Sequence, residues 1–422
     1  MLTIHAAIPR AIKAFQAIWA ANTRVIKGIG YLSFIRVVQI GLGLVTTYFL
    51  ARALSVEQYG EYQFVLNIIS ILTVFTFTEL NNTLMQSTAR GFKGSYRKIF
   101  PYPLIGSLAG SFALVLFALW YGVQKDHTDL MACFLIAAVF FPFMQGLILW
   151  RGLKIGEQKF GHFSFLEFIN LCMTQLMIIA VIHFYGGQYI WVLLIFVAVP
   201  ALLNIIMTWR LRGLMRVDDP PEDGIILHGL KSSFYVSFST ASNYIDKILV
   251  FFFLSPAALA LFVAADRFAD LLRTGVQDVI TALAPRFAET KYYSDRLHRF
   301  FIIFYVVYGI CLMIFAFTVL PHILLLIYGE PYRAAIPYAQ ALVFSAALGT
   351  LASMQFRYIR SKLDTKNFRN IMVWTSLARI GMSLAIIPFF GMTGAVVSAI
   401  LYRLMLTITI NRVIATDYRQ GV

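Results

Sequence analysis

Twelve ionisable side chains lie within stretches that are otherwise apolar. The cations are Arg36, Lys247, Arg267, Arg273, Arg379 and Arg403, and the acids are Glu79, Glu167, Asp246, Asp266, Asp270 and Asp278. Charge is expensive in hydrocarbon, so such residues face a partner or a hydrated cavity, and they mark functional sites. Arginine narrows the chemistry further. Its guanidinium stays charged and grips phosphate oxygens through two parallel hydrogen bonds. Arg36, Arg267, Arg273, Arg379, Arg403 and Lys247 are therefore candidates to bind an anionic solute, above all a phosphate or diphosphate head group. Asp246, Asp266 and Asp270, which fall beside Lys247, Arg267 and Arg273, are candidates to carry protons from one side to the other. A plainer reading stays open for both sets, in which the charges neutralise one another and hold helices together.

The stretch 258–283 has the clearest geometry. At 100° per residue, Asp266, Arg267, Asp270, Arg273, Thr274, Gln277, Asp278 and Thr281 fall within an arc of roughly 140°. Phe268, Leu271, Leu272, Val276, Val279, Ile280 and Leu283 fill the remainder. A helix this polar on one side must line water or other protein. No phosphate-binding glycine loop, nucleophile elbow or paired metal-ligand motif occurs. Cys133, Cys172 and Cys311 lie in apolar stretches without a pairing pattern, and the seven His are scattered. Neither a metal nor a cofactor is expected, and no catalytic residue is assigned.

The elements that position these residues follow from composition. Of 422 residues, 59% are hydrophobic and only 13% charged, too little charge to cover the surface of a soluble fold. Twelve apolar segments have the length of a membrane crossing: 30–50, 62–84, 100–123, 130–150, 163–185, 189–209, 233–254, 258–283, 300–320, 336–356, 368–388 and 393–411. The net charge of +15 would suggest nucleic acid in a soluble protein, but here it is topological. With the N-terminus placed in the cytoplasm, 26 of the 35 Lys and Arg fall on that side, three fall on the other and six lie within spans. Both termini are thus expected in the cytoplasm, and no nucleic-acid partner is needed. Trp120, Trp150, Trp191 and Trp209 fall at span ends, as in an aromatic belt. Ile8, Ile12, Phe15 and Trp19 recur at helical spacing, which predicts an amphipathic surface helix before the first span.

The longest internal polar link, 210–232, divides the spans six and six. Leu54-Ser55 ends the first span and Leu254-Ser255 the seventh, a weak repeat at an offset of 200. The expected fold is an all-α polytopic membrane protein, with about twelve transmembrane helices in two six-helix bundles around a central cavity. Its expected parts are a cytoplasmic N-terminal segment (1–29), bundles at 30–209 and 233–411, the cytoplasmic linker 210–232 and a cytoplasmic tail (412–422).

Two stretches carry a family likeness. One is 49–62 (FLARALSVEQYGEY). The other runs from Ile245-Asp246-Lys247 through Ala284-Pro285-Arg286-Phe287. Both resemble the polysaccharide transporter family, the Wzx-type flippases of the multidrug/oligosaccharidyl-lipid/polysaccharide exporter superfamily. The resemblance implies a non-enzymatic protein of the bacterial inner membrane. It implies movement of an undecaprenyl-diphosphate-linked oligosaccharide, such as an O-antigen repeat unit, from the cytoplasmic to the periplasmic leaflet by alternating access. The implied partners are that lipid-linked substrate, membrane lipid and the enzymes of polysaccharide assembly. Two other readings remain. A small-molecule exporter of the same fold is opposed by arginine rather than carboxylate in mid-span. A polytopic polysaccharide-processing enzyme needs large external loops, yet the longest, 321–335, offers only His322, Glu330 and Arg333.

Overall fold

The computed structural model describes residues 23–216, 219–289, 295–361 and 365–419. The amphipathic segment 8–19 and the side chains of Gln277, Asp278 and Thr281 lie outside the described residues. Among those described, every regular element is helical. In chain order they are α1 (Thr23–Ala53), α2 (Val56–Leu72), α3 (Glu79–Ala89), α4 (Ser95–Ile99), α5 (Pro101–Leu119), α6 (Thr128–Phe141), α7 (Trp150–Gly156) and α8 (Phe160–Tyr185). They continue with α9 (Tyr189–Arg210), α10 (Ile225–Phe253), α11 (Pro256–Glu289), α12 (Asp295–Thr318), α13 (Leu320–Tyr328), α14 (Ile336–Ser361) and α15 (Thr365–Arg419).

Among the described residues, eight helical stretches are long and apolar enough to cross a membrane, or nine with the bent pair α2–α3. α15, at 55 residues, has the length of two crossings and turns at Gly391 (φ 58°, ψ −135°), where a side chain would be strained. α10 and α11, of 29 and 34 residues, have the length but carry too many polar groups to count as apolar. With these the chain makes the twelve passes expected, in an all-α polytopic membrane fold.

The local breaks have identifiable causes. Ser55 caps α2: its Oγ accepts from Gln58 N at 3.2 Å while Gln58 Oε1 accepts from Ser55 N at 3.0 Å. The segment 62–84, expected as one span, bends by 50° between α2 and α3. There Thr73 and Thr76 turn their hydroxyls back onto the carbonyls of Ser70 and Thr73 at 2.7 Å, and Phe77 takes a left-handed conformation. Trp150, expected at the interface, is instead fully buried and donates Nε1–H to Asn204 Oδ1 at 2.8 Å. Trp120, Trp191 and Trp209 are exposed as the belt requires.

The expected external link 321–335 is not a loop. Leu320, Leu324, Ile327 and Tyr328 form one buried stripe of α13, and Tyr332 in the tight helical turn that follows is buried as well. Tyr59 of α2 meets both Tyr328 and Tyr332 edge-on at 6.1 Å. Arg52, at the end of α1, donates to the carbonyl of Leu326 at 3.2 Å. Deeper in, Phe64 of α2 stacks on Phe251 of α10 at 3.8 Å. The first and last six passes therefore meet along α2, α10 and α11, around a central cavity.

Candidate functional site

α10 and α11 fail as apolar spans for the reason that makes them informative. Asn243 and Lys247 stand four residues apart on α10, and Asp266, Asp270 and Arg273 share one face of α11. α15 supplies Arg379, Ser383, Tyr402 and Arg403. All of these but Ser383 line a chamber of about 150 Å³, with Tyr244, Ser345 and Ala399 among its other walls. Tyr244, Lys247, Asp266 and Asp270 also line a larger cavity of about 530 Å³, so the two spaces share a wall.

The acids are paired. Asp246, only 2% exposed, accepts from Arg379 Nη2 at 2.7 Å through one oxygen and from Ser383 Oγ at 2.5 Å through the other. Arg379 Nη1 donates to Asn243 Oδ1 at 2.9 Å, and its guanidinium lies 4.9 Å from the ring centre of Tyr402. Lys247 pairs with Asp266 at 2.9 Å, and Arg273 pairs with Asp270 one turn away on α11. Two cations differ. Among the described residues no carboxylate lies within 4.0 Å of Arg267 or Arg403. Arg403 lies 5.6 Å from the Tyr402 ring, and a Cβ at Gly349 of α14 would stand 2.9 Å from its Cδ, so glycine makes its room. Arg267 crosses toward α1, where a Cβ at Gly43 would stand 3.3 Å from its Nη2. The arrangement leaves cations without a close carboxylate on the cavity walls, which an anion can neutralise.

The structure thus brings Lys247, Arg267, Arg273, Arg379 and Arg403 together, with Asp266 and Asp270, in these two spaces. Asp246 is packed behind Arg379 as its partner and is not among the lining residues. Arg36 is exposed on α1, and its neighbour Ile35 lines the larger cavity while Arg36 itself does not. Sequence reasoning singled out Glu167 as an ionisable group within a span but missed its partner and the rest of the larger cavity. Arg151 of α7 pairs there with Glu167 of α8 at 2.9 Å. Gln39, Gln63, Asn67, Gln145, Asn170 and Gln175 also line it. The spacing Gln63-Asn67-Ser70, all on one face of α2, was the available signal. Among the described residues no group of three or more His, Cys, Asp or Glu has the geometry of a metal site.

Known structures share this fold. An inward-facing multidrug resistance MATE family transporter of the MOP superfamily matches with a TM-score of 0.66 at 12% identity, over 94% of this chain and 100% of its own. The lipid II flippase MurJ, in an inward closed conformation, matches with a TM-score of 0.67 at 14% identity, over 92% of this chain and 88% of its own. A MOP superfamily transporter from Pyrococcus furiosus matches with a TM-score of 0.61 at 13% identity, over 92% and 96%. No curated protein matches the sequence. The family described as polysaccharide biosynthesis protein matches residues 25–291, a span that holds the motif 49–62, α10 and the whole of α11. The chain therefore belongs to the polysaccharide biosynthesis protein family, as the resemblance to Wzx-type flippases implied, and has the multi-pass all-α membrane fold of those transporters.

Proposed function

We propose that the chain flips an undecaprenyl-diphosphate-linked oligosaccharide, an O-antigen repeat unit or a similar glycan, from the cytoplasmic to the periplasmic leaflet of a bacterial inner membrane. The observation that carries this reading is the cationic charge of Arg267 and Arg403, neither of which has a carboxylate within 4.0 Å among the described residues. A diphosphate supplies the opposite charge, and the guanidinium fork suits its oxygens. A carrier of organic cations requires the opposite sign.

In this reading residues 30–209 and 233–411 act as two bundles joined by the linker 210–232, with both termini cytoplasmic. They expose the chamber to each side in turn. The diphosphate competes with Asp266 for Lys247 and with Asp270 for Arg273, the two ion pairs of the chamber. A carboxylate so displaced is free to take up a proton, which gives Asp266 and Asp270 a route to coupling. Asp246, clamped by Arg379 and Ser383, acts as a positioning residue for Arg379. Outward movement of the anion also runs with an inside-negative potential, at about 2.3 kcal/mol per charge per 100 mV.

The experiment is genetic and chemical. A strain lacking the chain should accumulate lipid-linked oligosaccharide on the inner leaflet and lose the finished surface glycan. The unaltered gene should restore both, and Arg403→Ala should not. Normal surface glycan without inner-leaflet accumulation would overturn the proposal.

A further inference from the structure

The wall that the first six passes give to the larger cavity is rich in neutral amides. Gln39 comes from α1, Gln63 and Asn67 from α2, Gln145 from the turn that follows α6, and Asn170 and Gln175 from α8. Amides that serve packing in the same half have partners. Asn204 accepts from Trp150 and donates to the carbonyl of Met144 at 2.8 Å, and Asn81 accepts from Gly152 N at 2.9 Å. Of the cavity amides, Asn67 follows that pattern, donating to the carbonyl of Gln63 at 2.7 Å, but others do not. Among the described residues the side chains of Gln39, Gln145 and Gln175 make no hydrogen bond, and Gln175 Oε1 and Asn170 Oδ1 are buried without a donor. Buried amide groups without partners are costly, so those of α8, facing a space into which α1 and the turn after α6 also bring the unbonded amides of Gln39 and Gln145, call for a ligand that supplies partners.

We infer that this amide wall reads the glycan of the lipid-linked substrate; the inference rests on the flippase reading above. An amide presents a donor and an acceptor on one planar end, which matches two neighbouring sugar hydroxyls. Being neutral, it neither repels the diphosphate nor competes with it for the cations opposite. Phe196 and Tyr244 line the same space, and aromatic rings suit the C–H face of a sugar. The labour divides between the walls. The charged wall of α10, α11 and α15 holds any diphosphate, and the amide wall selects by hydroxyl pattern. A site built to hydrogen-bond hydroxyls rejects a ligand lacking them, because its polar groups are then left unpaired.

The test uses the purified full chain in lipid nanodiscs and two probes. One is the undecaprenyl-diphosphate-linked glycan extracted from a strain that lacks the chain. The other is undecaprenyl diphosphate. The unaltered chain should bind the glycan-bearing lipid at least about tenfold more tightly than the bare lipid. Gln39→Ala, Gln145→Ala and Gln175→Ala together should bring that ratio close to one. Their affinity for undecaprenyl diphosphate should stay within about twofold of the unaltered chain, which also shows that the variant is folded. Arg403→Ala should weaken both probes alike. The inference is overturned if the unaltered chain does not discriminate, if the triple variant keeps its discrimination, or if it loses both probes equally. Failure of the flippase reading itself looks different: no lipid-linked glycan accumulates in the strain, or neither lipid binds. In that case the inference falls with it.

Discussion

Gly187, between α8 and α9, seats its backbone so close to α1 that a Cβ would stand 2.4 Å from the carbonyl oxygen of Ala53. Gly391, at the turn of α15, lies beside Leu254, where a Cβ would stand 3.3 Å from the end of that side chain. Leu54 and Leu254 precede Ser55 and Ser255, and each serine accepts from a backbone N–H three residues on, at 3.2 Å and 3.1 Å. One framework therefore occurs twice. Yet the first half gives the cavity mainly glutamines and asparagines, with the single ion pair Arg151–Glu167, while the second gives arginines, a lysine and aspartates. Packing fixes the turns and caps, and the residues that face the cavity are left to diverge. The divergence has an energetic consequence. Buried charges must be matched in place, so the charged wall is rigid and intolerant, whereas unpartnered neutral amides tolerate truncation.

The sharpest break of this comparison is at Asp246. Asp246→Ala leaves Arg379 buried without its carboxylate, which should cost about 3–5 kcal/mol. Thermal unfolding of the purified protein should fall far more for this variant than for Gln145→Ala, which should stay within about 0.5 kcal/mol. Equal losses would mean that the two walls do not differ as described. Truncation of Ser383 should fall between them, since its hydrogen bond to a charged group is worth about 1.5–3 kcal/mol.

Function separates the walls on a second axis. Arg403→Ala should abolish transport at normal expression, and Arg403→Lys should recover part of it, because lysine keeps the charge and loses the fork. Arg267→Ala should follow the same order. Wild-type transport by both Ala variants would remove the diphosphate site. A third contrast lies within the first half. Trp150→Phe leaves Asn204 Oδ1 without its indole donor, at a cost of about 1–3 kcal/mol. It should lower the unfolding temperature without changing the preference for glycan-bearing lipid, because that amide serves packing and the cavity amides do not.

Much of this was legible in the sequence. Twelve apolar stretches gave the passes, and the polar arc of 258–283 gave the face of α11 that lines the chamber. The rest was hidden for physical reasons. Asp246 stands next to Lys247 in sequence but pairs with Arg379, 133 residues away, and such partners come only from packing. Trp150 at a span end is ambiguous between belt and core until Asn204 is found opposite it. α13 is too short to cross a membrane, so eight of its nine residues fall in the expected loop 321–335. The amide wall escaped because Gln and Asn carry no charge and do not stand out in an apolar span as arginine does.

The smallest effect is at the joint between the halves. Arg90, just after α3, pairs with Glu222 of the linker at 2.7 Å, and Glu222 N donates to Ser95 Oγ at 3.0 Å. The hydrogen bond from Arg90 holds the Glu222 carboxyl below its usual range. Its folded pKa is thus lower than its unfolded one, about 4.3. The pair therefore contributes stability above that unfolded value and loses it as pH falls through the depressed folded value. Arg90 is half exposed and the pair is screened by solvent, so the contribution should not exceed about 1 kcal/mol. Glu222→Gln should lower the unfolding temperature slightly at pH 7, and the gap to the unaltered chain should close as the pH is taken below 4. A gap that widens in acid would show that Glu222 is not held as an ion by Arg90. A gap as large as that of Asp246→Ala would move the structural weight of charge from the cavity to the linker, and the contrast between the two walls would no longer account for stability.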